Sequence, residues 1–388
     1  MVIGINAYEA VVPRFGYDRA TGLPNRVGSS EFCFQLLTAL SIIDKQNEYF
    51  IYLPINPASD MPAETKNWHY EVIKGRTLWT LIALSKKLFF DKEKPDVFFS
   101  PTHYLPFYVT YPSVVSILDV SYLHFPKLFK KRDLYQLKLW GRYSIKKAKK
   151  IITISKSSKN DIIKAYGVSE NKISVIYPGV KSEIQSASWR TKLKMQNSKL
   201  LKEKYRVKGD YILFVGTLQP RKNIERLVEA FSRLKSKVKN LNLVIIGKKG
   251  WMYEDILNAP EKYNVSDRVK FLDSVSDEEL PVFYQNAICF VLPSLYEGFG
   301  LPVLEAMKYG CPVITSNVSS LPEAGGDAAL YFNPENVNDI AEKIKKVIED
   351  KTLREEMIQK GYQQIKKFSW EKTARETLQV LEQLAKSS

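Results

Sequence analysis

The sequence predicts an α/β protein of two Rossmann-like domains with parallel sheets, and three observations carry that prediction. Short apolar runs alternate with segments of helical length, the pattern of a parallel sheet with crossover helices. The alternation occurs twice, on either side of a stretch that lacks it. The 388 residues suffice for two cores at roughly 100 to 200 residues per domain, so the two sheets are expected to face each other across a cleft.

In the first domain, placed at residues 1–178, strands are expected at 2–5, 49–53, 97–99, 113–118 and 150–154, with a helix at 31–43. Tyr177-Pro178-Gly179 breaks the pattern. Residues 179–208, rich in Lys, Ser and Gln and without a strand signal, are read as the linker. In the second domain, 209–368, strands at 211–215, 243–246, 269–272, 287–292 and 312–316 alternate with helices at 223–238, 277–285 and 300–309. A helix at 338–351 sets Ile340, Ile344 and Val347 on one face, and the last segment, 369–388, is amphipathic too.

Composition narrows the class. With 45% hydrophobic and 26% charged residues the chain is an ordinary globular protein, neither disordered nor collagen-like nor repetitive. Met1-Val2-Ile3-Gly4-Ile5-Asn6 reads as a first buried strand rather than a secretory leader, so a cytoplasmic location is expected. Residues 77–90 come nearest to a membrane span but are interrupted by Lys86 and Lys87. Cys33, Cys289 and Cys311 lie far apart in apolar context and are expected in the core. A net charge of +16 asks for an anionic partner: nucleic acid, an anionic membrane or a phosphorylated ligand.

The motifs choose among these. No G-x-G-x-x-G and no P-loop is present, which argues against a dinucleotide dehydrogenase. Gly28, ahead of the helix at 31–43, could let backbone approach a phosphate at a helix N-terminus, although a Gly there is more often a plain turn. The segment from Pro293 to Glu305, Pro-Ser-Leu-Tyr-Glu-Gly-Phe-Gly-Leu-Pro-Val-Leu-Glu, sets a carboxylate on each side of a helix start. An isolated Glu297 and Glu305 would read as surface carboxylates. The Gly-Phe-Gly-Leu-Pro turn between them makes a site the better reading, with the backbone N–H groups of Phe299, Gly300 and Leu301 aimed at an anion. Gly216-Thr217-Leu218-Gln219-Pro220-Arg221-Lys222-Asn223 is a second strand-to-helix turn, where Arg221 and Lys222 suit a diphosphate leaving group or, alternatively, form a solvated loop. There is no D-x-D and no metal-ligand spacing among His and Cys, so neither a metal nor a cofactor is expected.

These segments, with Lys94-Pro95-Asp96-Val97, Ile151-Ile152-Thr153-Ile154-Ser155 and Val175-Ile176-Tyr177-Pro178-Gly179, form a set over nearly the whole chain that resembles family 4 of the retaining glycosyltransferases, with GT-B architecture. The resemblance implies a nucleotide-sugar donor held by the second domain, a glycan or lipid-linked acceptor on the first, and a C-terminal helix that returns to the first domain. It implies that Glu297 binds the donor sugar, Glu305 the ribose, Arg221 and Lys222 the diphosphate beside Gly216, and Ser274 and Val275 the base, with Gly28 in the N-terminal glycine loop. GDP-mannose is the first expectation for the donor and UDP-glucose the second. Where relatives carry His-Asp after a strand, this chain has Leu118-Asp119. Asp119 remains as a catalytic candidate, with His103 and His124 on nearby loops. A nucleotide-sugar 2-epimerase, or a binding protein without turnover, are the competing readings on the same fold.

Residues 127–150 hold Lys127, Lys130, Lys131, Arg132, Lys138, Arg142, Lys146, Lys147, Lys149 and Lys150 beside Phe129, Tyr135, Trp140 and Tyr143. Basic residues interleaved with aromatics suit a helix lying on an anionic bilayer, against the alternative of a core aromatic face with solvated lysines. Nucleic acid has no motif behind it and is not expected as a partner.

Overall fold

The computed structural model of the chain describes every residue except 14, 19, 20, 76, 77, 92, 93, 181–199, 235–239, 274 and 388. It divides into two units: Met1–Gly179 with Ser369–Ser388, and Val180–Phe368.

The first unit is built on β1 (Val2–Asn6), β2 (Glu48–Leu53), β3 (Trp68–Val72), β4 (Val97–Ser100), β5 (Ser113–Ser116), β6 (Lys150–Thr153) and β7 (Ile173–Val175). All pair in parallel, in the order β3-β2-β1-β4-β5-β6-β7. Strands covered on both faces must be apolar throughout, which is why Val97, Phe98 and Phe99 of β4 and Val114 and Val115 of β5 are all buried. The strand expected at 113–118 stops at Ser116, and Ile117 and Leu118 continue into the core as loop. β3 and β7 escape the sequence pattern because they are edges: each is short and half-buried, with a weak apolar signal.

The helix Ser29–Ile43 starts directly after Gly28, whose φ of 58° suits glycine. Against it packs the helix Trp370–Lys386. Trp370 meets Phe32 with ring centroids 5.7 Å apart, and Thr373 Oγ1 donates to the Tyr177 carbonyl at 2.7 Å. A Cβ on Gly179 would lie 2.1 Å from the Trp370 nitrogen, so glycine is required for the last helix to seat.

The basic segment is not one helix. It runs as a 3-10 turn at Pro126–Leu128, a helix at Lys131–Gln136, a π-helical turn at Leu137–Gly141 and a helix at Arg142–Lys147, and Lys150 already opens β6. Among the described residues no helix is long and apolar enough to cross a membrane.

The second unit carries β8 (Tyr211–Val215), β9 (Asn242–Ile246), β10 (Val269–Leu272), β11 (Cys289–Leu292), β12 (Val313–Ser316) and β13 (Ala329–Phe332), again all parallel, in the order β10-β9-β8-β11-β12-β13. β13 was not expected, being a half-buried edge. The segment expected as one helix at 338–351 belongs to two, Val337–Glu349 and Lys351–Gln364. Asp350 ends the first and caps the second by accepting from the Leu353 amide at 2.9 Å. The helix expected at 277–285 begins only at Leu280, with Pro281 in its first turn. The helix expected at 223–238 is Ile224–Ser232; part of its expected end lies outside the described residues. Most of the expected linker, 181–199, also lies outside them. Beyond it Leu201 and Val207 are buried, and Lys204 and Tyr205 bond to Glu279 at 2.7 and 2.6 Å.

Candidate active site

In an open parallel sheet the loops after the strands share one edge, and a crevice opens where the strand order reverses. In the second unit that reversal lies between β8 and β11. The loops there carry Gly216 to Asn223 and Pro293 to Leu301, the two turns the sequence singles out.

They meet on one carboxylate. Glu297 Oε1 accepts from Lys222 Nζ at 2.5 Å and from Ser294 Oγ at 2.6 Å, while Oε2 lies 3.3 Å from Arg221 Nη1, which also donates to the Tyr296 carbonyl. The loop after β12 adds a third support: the Glu297 amide donates to Ser319 Oγ at 2.9 Å, and Ser320 Oγ donates to the Glu297 carbonyl at 2.8 Å. Glu297 is only 7% exposed. Burial alone would push its carboxyl up, but the Lys222 and Arg221 charges and the bonds from Lys222 and Ser294 prevail and hold it at about 2. An ionised carboxylate has about four acceptor positions, so Glu297 keeps capacity for a ligand hydroxyl. The two cations exceed it by one charge, which suits an anionic ligand.

The turn from Gly216 to Asn223 is fixed by backbone. Leu218 N donates to Lys248 O, Gly250 N to Leu218 O and Gly216 N to Ile246 O, each at 2.9 Å. A Cβ on Gly247 would sit 1.9 Å from the Gly216 oxygen, so this approach of two loops demands glycine. Asn223 donates its side-chain amide to the Pro293 and Pro334 carbonyls at 3.0 and 2.8 Å, and Leu295 N donates to Arg221 O at 2.9 Å, which locks the two turns together.

Gly300 has φ of 107°, and a Cβ there would come 2.8 Å from Leu321 Cδ2, so it can precede the helix Leu301–Lys308 only as glycine. The Phe299 side chain is not at the site. Its ring is buried against Phe368, centroids 5.4 Å apart, and it offers a ligand only its backbone. Glu305, on the same helix, is half-buried and accepts from Tyr284 Oη at 3.2 Å. Burial, then the neighbouring Glu305 charge, raises the Tyr284 hydroxyl well above its ordinary value and keeps it a donor. Val275 follows the edge strand β10 and is half-buried; Ser274 lies outside the described residues.

In the first unit the strand order reverses between β1 and β4. Gly28 lies between β1 and β2, where Ser29 Oγ donates to Glu9 Oε2 at 3.3 Å and Arg26 forms an ion pair with Asp60. Asp119 follows β5, and its Oδ1 accepts from the Ser121 amide at 2.9 Å and hydroxyl at 2.7 Å. The two loop histidines part company. Burial lowers the His103 imidazole while the Asp119 charge opposes it, so His103 is within electrostatic reach of Asp119. His124 instead pairs with Asp161 at 3.2 Å. Leu118 is buried.

Sequence reasoning missed Gly247, Gly250, Tyr284, Ser294 and Ser319. Gly247-Lys248-Lys249-Gly250 after an apolar run was the available signal for the first two; Tyr284 and Ser319 announce themselves only by what they touch. Among the described residues no three His, Cys, Asp or Glu side chains group so as to hold a metal.

Two parallel-sheet α/β units of this topology define the GT-B fold class, and two cations and a carboxylate stand at the switch point of the second sheet. Residues 197–364 match the family described as glycosyl transferases group 1, and residues 58–184 match glycosyltransferase family 4. The chain is 32% identical over 287 residues to O-antigen chain mannosyltransferase B of Escherichia coli, covering 74% of each. It is 32% identical over 260 residues to the serotype-specific mannosyltransferase WbdA of Escherichia coli, covering 66% of this chain but only 31% of that longer protein. Sucrose-phosphate synthase from Thermosynechococcus elongatus shares the fold over all of both chains, with a TM-score of 0.77 at 19% identity. The chain belongs to glycosyltransferase family 4.

Proposed function

We propose that this glycosyltransferase moves a hexose, mannose first, from a nucleotide-sugar donor to a glycan or lipid-linked acceptor, with retention of anomeric configuration and without a metal. The observation that carries this reading is the Arg221–Lys222–Glu297 cluster at the switch point of the second unit. There Arg221 and Lys222 neutralise the departing diphosphate while the bond from the anomeric carbon to the phosphate oxygen breaks. The acceptor hydroxyl attacks from the same face, and its proton passes to the leaving phosphate oxygen. Glu297 accepts from a sugar hydroxyl and Glu305 from the ribose, with backbone at Gly216, Gly300, Leu301 and Val275 completing the donor site. Asp119, within electrostatic reach of His103, is the residue of the first unit that takes part in the reaction. The names of the mannosyltransferase relatives support mannose over glucose as the sugar moved. The exposed lysines of residues 127–150 support an acceptor met at an anionic membrane surface.

Calorimetric titration of the wild type and Glu305→Ala with GDP-mannose, UDP-glucose, GDP and UDP, without added metal, tests it. One nucleotide series is expected to saturate, and the variant to bind it about 10- to 100-fold more weakly, the worth of a bond to a charged group. Absence of binding by all four would overturn the assignment of the donor.

A further inference from the structure

Helix Ala83–Phe90 ends in two aromatic residues that face water. Its inner side is used by the core, where Leu84 and Leu88 are buried and Ser85 Oγ donates to the Leu81 carbonyl. On its outer side Phe89 and Phe90 are 56% and 76% exposed, and Ile82, just before the helix begins, is exposed too. Their rings stand edge to face at 5.0 Å, and Phe89 meets Tyr108, itself 64% exposed, at 5.9 Å. Phe107, the next exposed ring, lies edge to face on Tyr143 at 5.4 Å, and Tyr143 Oη donates to the Phe107 carbonyl at 2.7 Å. Tyr143 belongs to helix Arg142–Lys147, so the aromatic patch is continuous with the basic segment, where Lys138, Arg142, Lys146 and Lys147 are exposed. On the other flank Lys74 and Lys86 border a shallow hollow with Ile73, Ile82 and Phe90.

Contiguous exposed rings mark an interaction surface. Lysines on both flanks argue against pairing with a second copy, which would set like charges together. An anionic bilayer accepts both features at once: rings enter the boundary between headgroups and acyl chains, and lysine stems lie along the surface with their charges at the phosphates. We propose that helix Ala83–Phe90, with Phe107 and Tyr108, is an aromatic wedge that inserts into an anionic bilayer beside the basic segment. The inference rests on the reading that the acceptor is met at a membrane surface, and adds insertion to that attraction.

The test uses the whole chain and vesicles of phosphatidylcholine alone or mixed with phosphatidylglycerol. Phe90→Cys takes a polarity-sensitive thiol dye selectively, because Cys33, Cys289 and Cys311 are buried with thiols pushed up. Its emission is expected to rise and shift to the blue on the mixed vesicles. The paired change Phe89→Ser and Phe90→Ser, at exposed positions the fold does not need, is expected to weaken sedimentation with those vesicles by roughly tenfold or more. Nucleotide binding by the same variant should be unchanged. Sedimentation equal to wild type, or a dye that stays in water, would overturn the wedge and leave electrostatic contact alone. A wild-type dimer that the serine changes dissolve, without vesicle binding, would overturn it in favour of self-association. Failure of the wild type to bind any of the nucleotides, with insertion intact, would instead sink the donor assignment and leave the wedge standing.

Discussion

Glu297 is nearly out of water yet ionised, and that combination has a measurable consequence. Its carboxyl moves from 4.5 to about 2 on folding, because Lys222 and Arg221 outweigh burial. A lowered carboxyl stabilises the fold fully above the ordinary value and loses its contribution as pH falls toward the lowered one. Glu297→Gln, which keeps a partner for Ser294 but removes the negative charge that Lys222 and Arg221 face, should therefore cost on the order of 3 kcal/mol at pH 7. The gap between the two proteins should close between about pH 4.5 and 2. Denaturant melts across that range check this, and a gap that does not vary with pH would contradict the ion cluster. Asp119→Asn makes a different prediction. Asparagine can still accept both bonds from Ser121, so stability should hold while transfer falls by about a hundredfold or more if the charge supports the reacting sugar. Steady-state kinetics beside a melt decide it.

Among elements, the strand-to-helix turns set the site, and glycine sets the turns. The loops after β8 and β9 approach so closely that Gly247 has no room for a methyl group, which would overlap the Gly216 oxygen at 1.9 Å. Gly247→Ala is expected to push the Gly216–Lys222 turn outward, weaken nucleotide binding by about tenfold or more, and cost roughly 1–3 kcal/mol of stability. Calorimetry and thermal melts test both, and unchanged nucleotide affinity would remove this turn from the donor site. The legibility of elements followed burial. Central strands such as β4, β8 and β11 are covered on both faces and read as continuous apolar runs, while the edges β3, β7 and β13 are half-exposed and do not. The basic segment was legible as composition but not as geometry, since nothing in its charge pattern announces the π-helical turn at Leu137–Gly141.

At the scale of the whole molecule, the chain's last helix belongs with its first residues. Trp370–Lys386 lies on Ser29–Ile43 in the first unit, with Ala374 and Leu381 fully buried. Removing residues 369–388 should destabilise that unit by roughly 5 kcal/mol or more, from the apolar area uncovered and the lost Thr373 bond. Hydrogen exchange should then accelerate in β1 and in Ser29–Ile43 and stay slow in β8 and β11. Uniform acceleration in both units would show instead that they unfold as one.

The sequence by itself determined the two parallel-sheet domains and singled out two of their turns, because apolar periodicity and a glycine between a strand and a helix are local properties. It also set Glu297, Arg221 and Lys222 apart, through turn context rather than contact. Only the tertiary structure decided that these three meet, since Lys222 and Glu297 are 75 residues apart and the reversal of strand order between β8 and β11 brings them together. Likewise it turned the Phe299 ring inward onto Phe368, gave Glu305 the Tyr284 hydroxyl, and joined Phe89 and Phe90 to Tyr108. Such pairings depend on where a sheet places its loops, and no window along the chain contains that distance.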